Sequence, residues 1–180
     1  MTQQLPTGIV SDTIKTVLIG PGALIHIPTL KSEIERYFRH IDRKQIIIHP
    51  SAAIVTDDDA QKEIADGMTK IGSTAKGVGA AMIKRIQRVP GAQTIAEHFK
   101  LELESLPRVL VDDELYHSAI KRTENLLVEG AQGFSLSMYH GQYPYTTSRD
   151  VTPAQILADC AIPFHYAPYV NIVEIGRAHV

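Results

Sequence analysis

The feature that most constrains this chain is a set of short apolar runs placed between helical patterns. Thr16 to Ile19 (TVLI) and Gln45 to Ile48 (QIII) are rich in β-branched residues and too short for buried helices. Each ends at a breaker, Gly20-Pro21-Gly22 after the first and Pro50 after the second. Leu126 to Val128 reads as a third buried strand. A helix is expected from near Pro28, with Leu30, Ile34, Tyr37 and Ile41 at helical spacing. Asp57 to Asp59 suit the positive end of a helix running to about Thr69. Gly77 to about Arg88 is helical, with Ala80, Ala81, Ile83 and Ile86 as its apolar positions, and Pro90-Gly91 ends it. Ala92 to Glu104 keeps the period, and Asp112 caps a further helix to Arg122 built on Leu115, Ala119 and Ile120. Strands alternating with helices imply an α/β fold, a mostly parallel sheet flanked by helices. No repeat or low-complexity tract divides it.

The formal charge of −2 leaves no basic excess to follow a nucleic-acid backbone, so no nucleic-acid partner is expected. No apolar run is long enough to cross a bilayer, and the start, MTQQLPTGIV, lacks the regions of a signal peptide. Cys160 is the one cysteine, which excludes an internal disulfide and fits a cytoplasmic location.

Chemistry has few places to sit. Gly72 to Gly79 (GSTAKGVG) leads into a helix whose first amides lack intrahelical partners; with the Ser73 and Thr74 hydroxyls and Lys76 they suit a phosphate. It is not a Walker A loop, and a tight turn before an ordinary helix explains the spacing better. The second segment runs from Glu129 to Gly133 (EGAQG) into Tyr143 to Asp150, where hydroxyls and Arg149 form a cluster able to hold a phosphate or simply to shape a loop. The eight histidines lie in separate segments without HxxxH or HxH spacing, so surface or core imidazoles are the default. For Asp57-Asp58-Asp59, a helix start outweighs a magnesium site.

Taken together, these segments resemble the adenylosuccinate synthetase family over roughly the first 174 residues. Leu5 to Ile9 (LPTGI) is similar to its L-P-S-G-I, and Ile71 to Gly79 (IGSTAKGVG) to its I-G-[ST]-T-x-x-G-[IV]-G. EGAQG followed by Tyr143 to Ser148 (YPYTTS) resembles its longest signature. Ala80-Ala81, Phe134 to Ser137 and Ser148 to Thr152 resemble the archaeal branch and, more closely, the phage branch, the 2-aminoadenylosuccinate synthetases that use dGMP. The resemblance implies a ligase joining L-aspartate to a 6-oxopurine monophosphate, IMP or dGMP. A nucleoside triphosphate, GTP or ATP, with Mg²⁺ would phosphorylate O6, and the aspartate amine would displace that phosphate. It implies that Thr74 and Thr147 meet the monophosphate group, that Gln132 contacts the bound nucleotide, and that Arg88 reaches the nucleotide of a neighbouring subunit in a homodimer.

The same resemblance implies what is missing. The glycine-rich loop with the catalytic aspartate and a magnesium ligand, and the assisting histidine, are expected upstream of Leu5; guanine- and aspartate-binding segments are expected downstream of Val173. Residues 1–174 then read as a central fragment of a larger single-domain enzyme, inactive alone. Ile175 to Val180 (IGRAHV) reads as the translation of a sequencing adapter following a strand at Val170 to Val173. The competing expectation is a module that binds purine monophosphates without catalysis.

Overall fold

The computed structural model describes residues 3–166 and 170–172. Its elements in chain order are β1 (Thr16–Ile19), β2 (Leu24–Ile25), α1 (Ile27–Arg36), α2 (Phe38–Ile41), β3 (Gln45–Ile48), β4 (Ala53–Ile54), α3 (Asp57–Ala65), α4 (Val78–Gln87), α5 (Lys100–Glu104), β5 (Val109–Val111), α6 (Asp113–Arg122) and α7 (Pro153–Asp159), with short 3-10 turns between. The fold is α/β, as the alternation of patterns implies.

β1, β3 and β5 form a parallel sheet in that order, with Val17 opposite Ile46 and Ile47 opposite Leu110. β2 and β4 pair in parallel beside it. Ile46 and Ile48 are fully buried, together with Leu30 and Ile34 of α1 and Val111 of β5. A central strand covered on both faces needs such an unbroken apolar run.

Both strands expected at residues 16–19 and 45–48 are present with those bounds. The third is not at Leu126 to Val128, which has no regular structure and leaves Leu127 73% exposed. The strand beside β3 is instead β5, anchored where the Ile46 amide donates to the Arg108 carbonyl at 2.9 Å. The helix expected to reach Thr69 stops at Ala65, because Gly67 takes the left-handed conformation (φ 73°) that ends helices. Ala92 to Glu104 is helical only from Ala96; before it, Ile95 bridges Ala53. Tyr116, not Leu115, is the buried residue of α6, because its hydroxyl reaches the Cys160 carbonyl at 2.8 Å. In α4 only Ala80 and Ala81 are buried, while Ile83 and Ile86 face outward, since small side chains let α3 approach. Val170 to Ile172 shows no strand, and Val173 and residues 175–180 lie outside the described residues.

The α3–α4 junction is close at Gly77, whose φ is 81° and where a Cβ would meet the Ala60 nitrogen at 2.7 Å. Gly91 has φ 79° but open space around it. Gly91→Ala should therefore cost only the left-handed penalty, roughly 1–2 kcal/mol. Gly77→Ala should add an overpacking cost of roughly 1–3 kcal/mol. Urea unfolding of the two variants should show the larger loss at Gly77, and equal losses would mean that α3 does not pack on this loop.

Candidate functional site

The segments singled out in sequence meet in space. The backbone N–H and the hydroxyl of Thr7 both donate to the Glu129 carboxylate at 2.8 Å, joining LPTGI to EGAQG across 122 residues. Lys76 donates to Gln3 at 2.7 Å, bringing the second segment to the same N-terminal stretch. A Cβ on Gly79 would lie 3.7 Å from the Ser148 side chain, so the second segment runs beside YPYTTS. Gly130 packs so closely on Ile156 of α7 that a Cβ there would fall 2.5 Å from it.

The electrostatics of the second segment differ from the expectation of free amides. The Glu63 carboxylate of α3 is buried and accepts from the Gly77 N–H at 2.9 Å, the Gly79 N–H at 2.6 Å and the Ala80 N–H at 3.2 Å. The first turn of α4 already holds its anion, which excludes a phosphate from those amides. The Ser73 hydroxyl accepts from the Ala75 N–H, shaping the turn, and Thr74 beside it is exposed.

The third segment folds around Ser137, fully buried, whose hydroxyl donates to Asp150 at 2.6 Å and accepts from the Tyr139 and His140 amides. The Ser137 hydrogen bond, then that from Thr152, hold the Asp150 carboxyl below the usual range. Thr147 is half-buried and donates its N–H to the Leu136 carbonyl at 2.8 Å. Gln132 is exposed with φ 77°, a conformation that costs a non-glycine residue strain. Arg149 does not join the hydroxyl cluster: its guanidinium donates to the Gly22 carbonyl at 2.7 Å and to Asp159 at 2.9 Å. Arg88 is the exposed C-cap of α4, at the end opposite Gly79 and about 14 Å away by helical rise. The segments carrying Thr74, Gln132 and Thr147 thus share one region, and Arg88 stands apart.

Asp57 to Asp59 do begin a helix, with Thr56 and Asp59 forming a capping box. Among the described residues no carboxylate set gathers where the segments converge in a form fit for Mg²⁺, since Glu63 and Glu129 are spent on backbone amides. Sequence gave no sign of Glu63, nor of a second cluster in which His49 and His117 approach Asp113. Burial holds the His49 imidazole below its ordinary range against the pull of Asp113. Burial also pushes the Cys160 thiol up to about 11, so it stays protonated and unreactive near neutrality. No helix among the described residues is long and apolar enough to cross a membrane.

The family model for adenylosuccinate synthetase matches residues 1–95 and 91–179. The chain belongs to this family. It is 40% identical over 182 residues to the N6-succino-2-amino-2'-deoxyadenylate synthase of Acinetobacter phage SH-Ab 15497, covering 88% of this chain and 47% of that relative. The Vibrio phage phiVC8 enzyme of the same name is 40% identical over 184 residues, covering 99% and 52%. The archaeal adenylosuccinate synthetase of Pyrococcus horikoshii is 33% identical over 162 residues, covering 89% and 46%. Among solved structures, the cyanophage S-2L succinoaminodeoxyadenylate synthetase bound to dGMP and dATP as an energy donor superposes with a TM-score of 0.78 at 36% identity, over 91% of this chain and 46% of that one. The chain spans about half the length of the relatives it matches.

Asp59 ties α3 to α4 by its contact with Lys84 at 2.5 Å while 1% exposed. Burial raises its carboxyl, but the hydrogen bonds from Lys84 and Thr56 outweigh that and leave it below the ordinary value. A depressed carboxylate stabilises the fold above its unfolded pKa, about 3.9, and that stability is lost as pH falls through the folded value. Asp59→Asn should lower the urea midpoint at pH 7 and weaken the further fall toward pH 3; an unchanged acid dependence would remove Asp59 from it.

Proposed function

We propose that this chain supplies the monophosphate-holding part of a ligase that joins L-aspartate to a 6-oxopurine monophosphate, with dGMP favoured over IMP. The observation that carries the reading is the convergence of LPTGI, IGSTAKGVG, EGAQG and YPYTTS through the Thr7–Glu129 and Lys76–Gln3 hydrogen bonds and the approach of Gly79 to Ser148. The greater identity to the phage relatives than to the archaeal one supports dGMP. Thr74 and Thr147 would offer hydroxyls to the monophosphate, and Gln132, on a left-handed turn of the EGAQG loop, would contact the nucleotide. The Glu63 carboxylate keeps the helix amides for the protein, so the phosphate is held by side-chain donors.

Arg88 serves a second subunit in this reading. Its distance from the convergence supports that role, as do Ile83, Ile86 and Val89, an exposed apolar stripe beside it suited to a homodimer contact. Mg²⁺ and the nucleoside triphosphate, ATP or GTP, enter by family membership alone, and no residue of this chain is assigned to them. Transfer of the γ-phosphoryl group to O6 would turn a poor leaving group into a good one for the aspartate amine.

The test is calorimetric titration of the chain with dGMP and with IMP, beside an assay of phosphate release with aspartate, Mg²⁺ and ATP or GTP. Weak dGMP binding without phosphate release is expected. Failure of both monophosphates to bind would overturn the site; release by pure chain would overturn its inactivity. A monophosphate binder that stays silent even when joined to the remaining half of a phage relative would favour the non-catalytic module.

Thr147→Ala should remove one donor from a charged phosphate, lowering monophosphate affinity by roughly 1.5–3 kcal/mol. Triphosphate binding in the joined protein should change less. Equal losses for both ligands in the same titration would detach Thr147 from the monophosphate.

A further inference from the structure

At the carboxyl end of the central sheet, three side chains that none of the motifs contains direct ligand atoms at one point. His49 follows β3, and Asp113 and His117 lie one turn apart on α6. His49 Nε2 is 2.9 Å and His117 Nε2 3.4 Å from the same Asp113 oxygen, and all three atoms lie within 4.8 Å of one another. A tetrahedral ion with metal–ligand bonds of about 2.0–2.1 Å holds neighbouring ligand atoms about 3.3 Å apart. The two separations from Asp113 bracket that edge. The rings are held in place: His49 packs edge-on against Tyr116 at 5.2 Å and against His117 at 5.7 Å. His49 is 12% exposed, while Asp113 and His117 are 58% and 37% exposed, which leaves an entry path from solvent.

We propose that His49, Asp113 and His117 form a site for one divalent transition-metal ion of the zinc class, with the fourth position open toward the cavity that His117 lines. Two imidazoles and one carboxylate are a borderline-soft donor set that suits zinc, cobalt or nickel and suits Mg²⁺ poorly. The cavity, of about 280 Å³ and bounded also by Ile120, Lys121, Ala161 and Pro163, has room for a water or small anion as fourth ligand. The ion would tie the end of β3 to α6, a junction otherwise made by the Asp112 amide on the Ile48 carbonyl and by the His49–Asp113 contact.

The protons balance as follows. The Ser51 N–H donates to His49 Nδ1 at 3.0 Å, so the neutral ring carries its proton on Nε2, facing Asp113. Metal binding requires Nε2 to be free; the proton moves to Nδ1, and the amide of half-buried Ser51 turns to water. Arg85 opposes the cation electrostatically from the His49 side, and the Asp113 carboxylate compensates.

The experiment is titration of the tag-free chain with Co²⁺ followed by visible absorption, and with Zn²⁺ followed by calorimetry and thermal unfolding. The expected result is one ion per chain, a visible band of a four-coordinate cobalt ion, a melting temperature that rises with Zn²⁺, and a shifted Ser51 amide resonance. His117→Ala, at a partly exposed helix position, should weaken binding at least about 10-fold, the loss that even outer-shell partners produce. Asp113→Asn should do likewise, and His40→Ala, at an exposed histidine elsewhere, should leave it unchanged. Absence of saturable one-to-one binding overturns the site, as does binding that His117→Ala and Asp113→Asn leave intact. The monophosphate titrations do not depend on this outcome, so the two readings fail separately.

Discussion

The structure around the converging motifs depends on the Glu63 carboxylate, which closes the N-terminus of α4 from the neighbouring helix α3. Three backbone donors end on its two oxygens, and Glu63 itself is buried. Each of those donors left unpaired in the interior would cost roughly 1–3 kcal/mol. The opening turn of α4 therefore goes where Glu63 goes, and with it Gly79, beside which Ser148 lies. The close approach that makes this reach possible is set by Gly77 and by the two alanines that follow Gly79.

The same device recurs. Glu33 of α1 accepts from the amides of Gln3, Gln4 and Leu5, fixing the start of LPTGI to the core helix. Glu129 accepts from Thr7 and fixes EGAQG to that stretch. Loops have no ladder to satisfy their amides, so a carboxylate that takes several at once is an economical way to hold irregular backbone in one shape. The motifs are loops, and these carboxylates give them the rigidity that hydroxyl donors need if they are to meet a phosphate in fixed positions.

Much of the scaffold was legible in sequence. TVLI and QIII carry enough apolar and β-branched character to be strands wherever they are placed, and Asp112 and the Asp57 to Asp59 run marked helix starts correctly. Val109 to Val111 escaped notice although it is the same kind of run, because three residues between a helix and a capping aspartate give little periodicity to read. Leu126 to Val128 is equally apolar, yet the strand that pairs with β3 is Val109 to Val111, and a short apolar run does not say which strand it will pair with. In the candidate site, the motif residues were legible only through resemblance. Glu63 was not legible at all: it is one acid in a polar helix, and its partners begin 14 residues away.

The sequence by itself determined the fold class, the family and the identity of the loops that matter, since apolar period and motif order are written along the chain. Tertiary structure alone decided which donors remain for a ligand. It put Glu63 on the α4 amides, turned Arg149 to Gly22 and Asp159, and brought His49, 64 residues before Asp113, to within 2.9 Å of it. Hydrogen bonds and ligand sets depend on distances of a few ångströms between segments far apart in the chain, and such distances are set only when the core packs.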